Sequence, residues 1–191
     1  MSVLAQRCTE LGDALARLTE IEPAFLAAAD AIADAVRAGG KVLAAGNGGS
    51  AAEAQHLTAE MVGRLHPDRE RRALPAVALH ADSSTLTAVG NDYGYDQVFA
   101  RQVAAIGAPG DVLVVLSTSG RSPNLVAAVD VANERGLTTV GILGRGPRPL
   151  HERCSVVLAV PTDGLQAVQE CHLVLVHSLV EQVEDLLDAL D

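Results

Sequence analysis

Apolar positions recur along this chain in two rhythms. Over residues 3–38 they fall at helical spacing: Leu11, Leu15 and Leu18 form one stripe, and Phe25, Ile32 and Val36 form another beyond Pro23. Gly39-Gly40 closes the second helix. Two helices ahead of any strand exceed what a minimal α/β domain needs. Their stripes are expected to pack either on a partner subunit or on the chain's own sheet.

The rhythm then changes. Short apolar runs at 42–45, 76–79, 112–116, 138–143 and 156–160 read as buried strands. Helical stretches at 51–62, 97–106 and 125–134 lie between them, and a long helix is expected over 167–190, with Val168, Leu175, Leu179 and Val180 among its apolar positions. Strand and helix alternating in this way imply an α/β fold with a parallel sheet covered on both faces. No repeat, low-complexity segment or linker interrupts the pattern. The 191 residues therefore read as one domain, a helical extension over 1–38 and an α/β core over 39–191.

Composition sharpens that picture. Apolar residues make up 49% of the chain but aromatics only 2%, with no Trp, so Ala, Val and Leu must fill the core. Fourteen Lys and Arg against 24 Asp and Glu give a net charge of −10, which argues against a general nucleic-acid binder. Cys8, Cys154 and Cys171 are odd in number and lack metal-finger spacing. The N-terminus has no signal-peptide pattern, and no apolar run approaches the ~18 residues of a membrane span. The expectation is a soluble, cytoplasmic protein.

Two loops should share one edge of the sheet, since strand carboxyl ends lie together in such folds and ligands bind there. The first is Gly46-Asn47-Gly48-Gly49-Ser50, leading from a strand into a helix. Its glycines let the backbone approach a ligand, and the free N–H groups of the new helix attract an anion. The second is Ser117-Thr118-Ser119-Gly120-Arg121-Ser122-Pro123, with Ser122 at the N-cap and Pro123 at the first helical position. Four hydroxyls beside free N–H groups make a cradle for one phosphate. Gly46-x-Gly48-x-x-Ala51 also fits a dinucleotide fingerprint, which would want an acidic residue where the next strand ends. There the sequence has His80 and Ala81, with Asp82 slightly beyond, and that reading leaves the second loop unexplained. No P-loop pattern is present.

Chemistry beyond binding is suggested by two helices. His56 and Glu60 are four residues apart and project from one face. Gln169, Leu173 and His177 follow one ridge of the last helix. If the two pairs face each other they could hold a zinc-like ion, or serve as a general base and acid. His66 and His172 read as structural or surface residues, and His151, in a loop-like stretch, is given no role.

These motifs resemble those of the sugar-isomerase (SIS) domain proteins, and more closely those of the bacterial phosphoheptose isomerases. The matching stretches run from Gly46 to His56 with Glu60, from Ala88 to Tyr93, from Leu116 to Asn124, and from Gln169 to His172 with His177. The loops alone mark the wider SIS class, and the two helical pairs narrow it. The resemblance implies a three-layer SIS sandwich with a five-stranded parallel sheet. It implies an aldose–ketose isomerisation of sedoheptulose 7-phosphate to D-glycero-D-manno-heptose 7-phosphate.

Residue by residue, Ser117, Thr118, Ser119 and Ser122 would hold the phosphate, while Asn47, Gly48, Gly49, Ser50, Asn91 and Asp92 would line the sugar, with Glu60 and Gln169 also reaching the substrate. His56, Glu60, Gln169 and His177 would bind one zinc per subunit, with Glu60 and His177 also the proton-transfer pair. The resemblance further implies a homotetramer with sites at subunit boundaries, in which the N-terminal helices serve assembly.

Two departures bear on substrate choice. Before Gln169 the family usually carries an acidic or Thr residue and an Arg, where this chain has Gln166-Ala167-Val168. Arg121 stands where the family often has Asn. The alternatives are an isomerase of another phosphosugar and a non-catalytic SIS adaptor of the kind that binds a replication initiator. The complete acid/base and metal set favours the enzyme.

Overall fold

The computed structural model describes residues 1–188. Helix α1 (Val3–Arg17) starts behind Ser2, whose hydroxyl accepts the Ala5 amide at 3.2 Å. A 3-10 turn over Leu18–Ile21 leads into α2 (Glu22–Arg37), with Pro23 in its first turn, so the break between the two apolar stripes falls where the proline is best tolerated. There follow β1 (Val42–Gly46), α3 (Gly49–Val62), β2 (Ala76–Ala78), α4 (Ser83–Tyr93) and a second 3-10 turn (Tyr95–Gln97). The chain continues through α5 (Ala100–Ile106), β3 (Val112–Ser117), α6 (Pro123–Glu134), β4 (Thr138–Leu143), α7 (Pro149–Arg153), β5 (Val156–Ala159) and α8 (Leu165–Asp188).

All five expected strands form, and they make one parallel sheet in the order β2-β1-β3-β4-β5. The helical pattern needs three corrections. The helix expected over 97–106 is a 3-10 turn ending at Gln97 followed by α5 from Ala100. Helix α4 has no counterpart in the apolar pattern; it is set by Asp82, whose carboxylate accepts the amides of Ser84 and Thr85. His151, expected in a loop, sits in the short helix α7. The last helix begins at Leu165, and the expected positions 189 and 190 lie outside the described residues.

Alternation along the strands sorts the core into two halves. Val42, Ala44, Val112, Val114, Leu116, Val140 and Ile142 face a layer built from α1, α2, α3 and α8. Leu43, Ala45, Leu113, Val115 and Leu143 face the layer of α5, α6 and α7. Both faces are thus covered, which is why the strands read as unbroken apolar runs. Each buried Val or Leu contributes about 1.5–3 kcal/mol. The N-terminal stripes find their partner within the chain: Leu11, Leu18 and Phe25 pack in the core half that includes Leu175 and Leu179 of α8. They leave a cleft of about 300 Å³ between Leu15, Leu18, Phe25 and Val174. No helix among the described residues is long and apolar enough to cross a membrane.

Helix α3 is fastened to α8 by a buried ion pair. Arg71 Nε donates to Glu184 Oε1 at 2.5 Å, with the two side chains 6% and 2% exposed. The same guanidinium donates to the Glu60 and Met61 carbonyl oxygens at 2.7 and 3.0 Å, near the last turn of α3. The three cysteines are free thiols. Cys8 is exposed, while burial pushes the Cys154 thiol up to about 12 and also raises that of Cys171.

At the opposite edge from the two loops, Asp111 ties the starts of β1 and β3. Its carboxylate accepts the Lys41 amide at 2.9 Å, the Lys41 ammonium at 2.5 Å and the Ala108 amide at 2.8 Å. Burial pushes this carboxyl up, but the Lys41 and Ala108 hydrogen bonds together with the Lys41 charge outweigh it, and the group is held below the usual carboxylate range. A carboxyl lowered on folding stabilises above its unfolded value of about 4 and loses that contribution as pH falls through the folded value. The stability gap between the wild type and Asp111→Asn, read from urea midpoints, should therefore be full at pH 6 and narrow towards pH 3.

Candidate active site

Strand order reverses direction between β1 and β3, so the loops that leave them diverge and open a crevice at the carboxyl edge. The first loop is shaped by close approach. A methyl group at Gly46 would run into the Ser50 carbonyl, and one at Gly49 would strike the Gln169 amide nitrogen. Gly49 thus leaves room for a side chain delivered by the last helix. Ser50, expected against the sugar, is buried at 5% exposure, with its amide bonded to the Asn47 carbonyl at 3.1 Å.

Asn47 joins the two loops. Its amide exchanges hydrogen bonds with the Asn124 amide at 3.0 and 2.9 Å, and its oxygen also accepts from the Tyr95 hydroxyl at 3.2 Å. Asn124 is 2% exposed. Neither Asn124 nor Tyr95 was among the residues expected in the site. The Leu116–Asn124 motif contains Asn124, yet only the fold reveals its partner.

The phosphate-type loop divides its hydroxyls between two tasks. Ser117 Oγ accepts the Gly120 amide at 3.0 Å and Ser119 Oγ accepts the Arg121 amide at 3.3 Å, so both hold the turn. Ser122 occupies the N-cap of α6 as expected, but its hydroxyl makes no capping hydrogen bond, and Thr118 beside the turn is half-buried. Asn91 and Asp92 lie exposed in α4 and bond to each other at 2.8 Å. Tyr95, just beyond, carries that segment to Asn47. Asp82, the acid a dinucleotide reading would use on a ribose, has both carboxylate oxygens occupied at the start of α4.

The helical pairs meet. His56 Nε2 and His177 Nε2 stand 2.8 Å apart with their rings edge to face, and Glu60 Oε1 lies 3.7 Å from His56 Nε2. Gln169 is two turns back along α8, against Gly49. The donors suit a zinc-like ion: two imidazoles and a carboxylate, with an amide near the loop. The histidines are hydrogen-bonded to each other, however, and among the described residues no three His, Cys, Asp or Glu side chains are grouped as a metal cage. A metal would take the Nε2 lone pair of each imidazole in place of the hydrogen bond between them.

Between these contacts lies a pair that the sequence left unassigned. His172 is completely buried, with Nδ1 3.5 Å from Glu53 Oε2. The seam between α3 and α8 therefore brings polar side chains together at two levels, Glu53 with His172 and His56 with His177, beyond the close approach of Gln169 to Gly49. Of the two readings of His172, structural or surface, burial selects the structural one.

Comparison with known proteins settles the family. The SIS domain model matches residues 8–144. A phosphoheptose isomerase of Rhodospirillum rubrum is 47% identical over 94% of this chain and 95% of its own length, and one of Burkholderia pseudomallei is 51% identical over 82% and 78%. The chain belongs to the phosphoheptose isomerase family. The solved phosphoheptose isomerase of Neisseria gonorrhoeae superposes with a TM-score of 0.87 at 40% identity, covering 95% of this chain and 97% of that one. That of Francisella tularensis gives 0.87 at 36% identity, covering 97% and 100%. This family member is accordingly an isomerase built on the SIS sandwich.

The two glycines of the first loop are expected to respond differently to a methyl group. Gly46→Ala forces the backbone at Ser50 to move and should lower stability by about 1–3 kcal/mol. Gly49→Ala meets only the tip of a flexible amide and should leave the urea midpoint nearly unchanged while displacing Gln169, visible in a crystal structure of the variant.

Proposed function

We propose that this enzyme converts sedoheptulose 7-phosphate to D-glycero-D-manno-heptose 7-phosphate by proton transfer through an enediolate. The observation that carries the proposal is the meeting of His56, Glu60 and His177 on the two helices that also bring Gln169 against the first loop, in a chain of the phosphoheptose isomerase family. The phosphate would rest on the Thr118 and Ser122 hydroxyls and the first amides of α6, in a turn kept in shape by Ser117 and Ser119. Asn47, Gly48, Gly49, Asn91, Asp92 and Gln169 would line the sugar, with Ser50 supporting the loop from within.

Moving the carbonyl from C2 to C1 requires removing a proton from C1 and returning one to C2. Glu60, a partly exposed carboxylate in the last turn of α3, takes the carbon-bound proton. His177 passes a proton between the two oxygens, its ring held by the contact with His56. Zinc held by His56, Glu60, Gln169 and His177 would polarise the sugar oxygens and take up enediolate charge. Glu60 would then alternate between ligand and base. We further assign the enzyme to the cytoplasm as a homotetramer of single-domain subunits. The apolar cleft that α1 and α2 form with α8, together with exposed Leu26 on α2 and exposed Leu173 and Val174 on α8, supports a role for the first 38 residues in assembly.

Glu60→Gln should lower turnover of sedoheptulose 7-phosphate by about 100- to 10,000-fold while leaving substrate binding largely intact, measured by aldose formation and by calorimetry. Retained turnover removes Glu60 from its role. Activity of the wild type on no member of a ketose phosphate panel would favour the adaptor reading, and full activity after chelation would remove the metal. Light scattering should give a mass of four 19.7 kDa chains, falling on Leu15→Asp.

A further inference from the structure

Beside the second loop is a cavity of about 240 Å³ whose lining is unlike the rest of the molecule. Thr118 and Ser119 line it together with Arg121, Arg145 and Arg148, and residues within 162–168, around the start of α8, close the remaining side. Three guanidiniums against the single carboxylate of Asp163 leave a surplus of two positive charges, in a chain whose net charge is −10. Asp163 is itself paired with Arg145 at 3.2 Å, and both side chains are largely in solvent, so this pair holds little energy and opens readily.

The segment that supplies Arg145 and Arg148 is docked on the loop. The Gly144 amide donates to the Ser117 carbonyl at 3.1 Å, and the Leu150 amide to the Gly120 carbonyl at 3.2 Å. Gly120 has no side chain where Arg148 Cβ and the His151 ring press against it: a methyl there would lie 3.0 Å from Arg148 Cβ and 3.2 Å from the imidazole. His151 Nε2 in turn bonds the Gly144 carbonyl oxygen at 3.0 Å. The guanidiniums are therefore carried by backbone fixed to the phosphate-type loop, and their reach is set from it.

We propose that Arg121, Arg145 and Arg148 form a cationic wall to the phosphate subsite, so that a phosphate dianion is selected by guanidinium charge as well as by the hydroxyl loop. This rests on the phosphosugar reading of the 117–122 loop. The planar guanidinium fork matches phosphate oxygens in pairs, which an ammonium does not, and the wall accounts for the concentration of three arginines at one cavity of an acidic protein. It also gives Arg121 a purpose: it extends a charge supplied mainly by the β4–α7 segment.

The test is calorimetric titration of the purified protein with inorganic phosphate. Arg145→Ala/Arg148→Ala should weaken phosphate binding by about 10- to 100-fold and flatten its salt dependence. Arg148→Lys should recover part of the loss, and Arg7→Ala on α1 should match the wild type. Arg148→Ala keeps the Cβ that rests on Gly120, so it serves if the double variant does not fold. Phosphate affinity within twofold of wild type in a folded variant overturns the proposal. Arginine-dependent phosphate binding without turnover of any heptose phosphate would sustain the subsite and sink the proposed reaction, while turnover with arginine-independent phosphate binding would do the reverse.

Discussion

The packing of α3 along α8 is the constraint on which the site depends. The two helices are more than a hundred residues apart in the chain, yet Glu53 and His56 of one meet His172 and His177 of the other. Arg71 and Glu184 fix that seam at the far end of α3, in a setting where losing either partner would strand a buried charge at a cost of about 3–5 kcal/mol. Because Arg71 also takes up the Glu60 and Met61 carbonyl oxygens, the turn that carries the candidate base is held by the same guanidinium. A slip of one residue along α8 would separate His56 from His177 and drive another side chain into the space left by Gly49.

Much of the architecture was legible in the sequence because the sheet is covered on both faces. The three central strands, buried on two sides, have no polar face to show and appear as apolar runs; the edge strands β2 and β5 are only partly buried but are short and apolar enough to read the same way. Helix α4 was not, since Ser83, Ser84, Thr85 and Thr87 interrupt any apolar stripe and only Leu86 and Val89 turn towards the core. Its signal was the capping Asp82, which also looks like the start of a turn. Helix α7 is too short for a periodicity to exist.

The site was legible in a different proportion. His56 and Glu60 are neighbours by helical spacing alone, and so are Gln169 and His177 along their own ridge. That the two pairs meet is a tertiary fact, expected only through family resemblance. The Asn47–Asn124 exchange, the Tyr95 hydroxyl and the arginines of the β4–α7 segment escaped for the same reason: their partners come from other strands. The hydroxyl loop shows a subtler gap, because four hydroxyls in a row suggest four ligands, whereas the backbone amides of Gly120 and Arg121 already occupy two of them.

The position of α8 also bears on how the protein comes into being. Helices α1 and α2 leave the ribosome before the five strands, and the surface that covers them belongs to α8, which follows the last strand. Until α8 arrives, Leu18, Ile21, Phe25 and Ile32 lack their main apolar cover. Contacts between elements so distant in the chain form slowly, since closing the intervening loop must precede any gain. The nascent chain therefore carries two helices with uncovered apolar stripes until α8 emerges, surfaces of the kind a chaperone recognises.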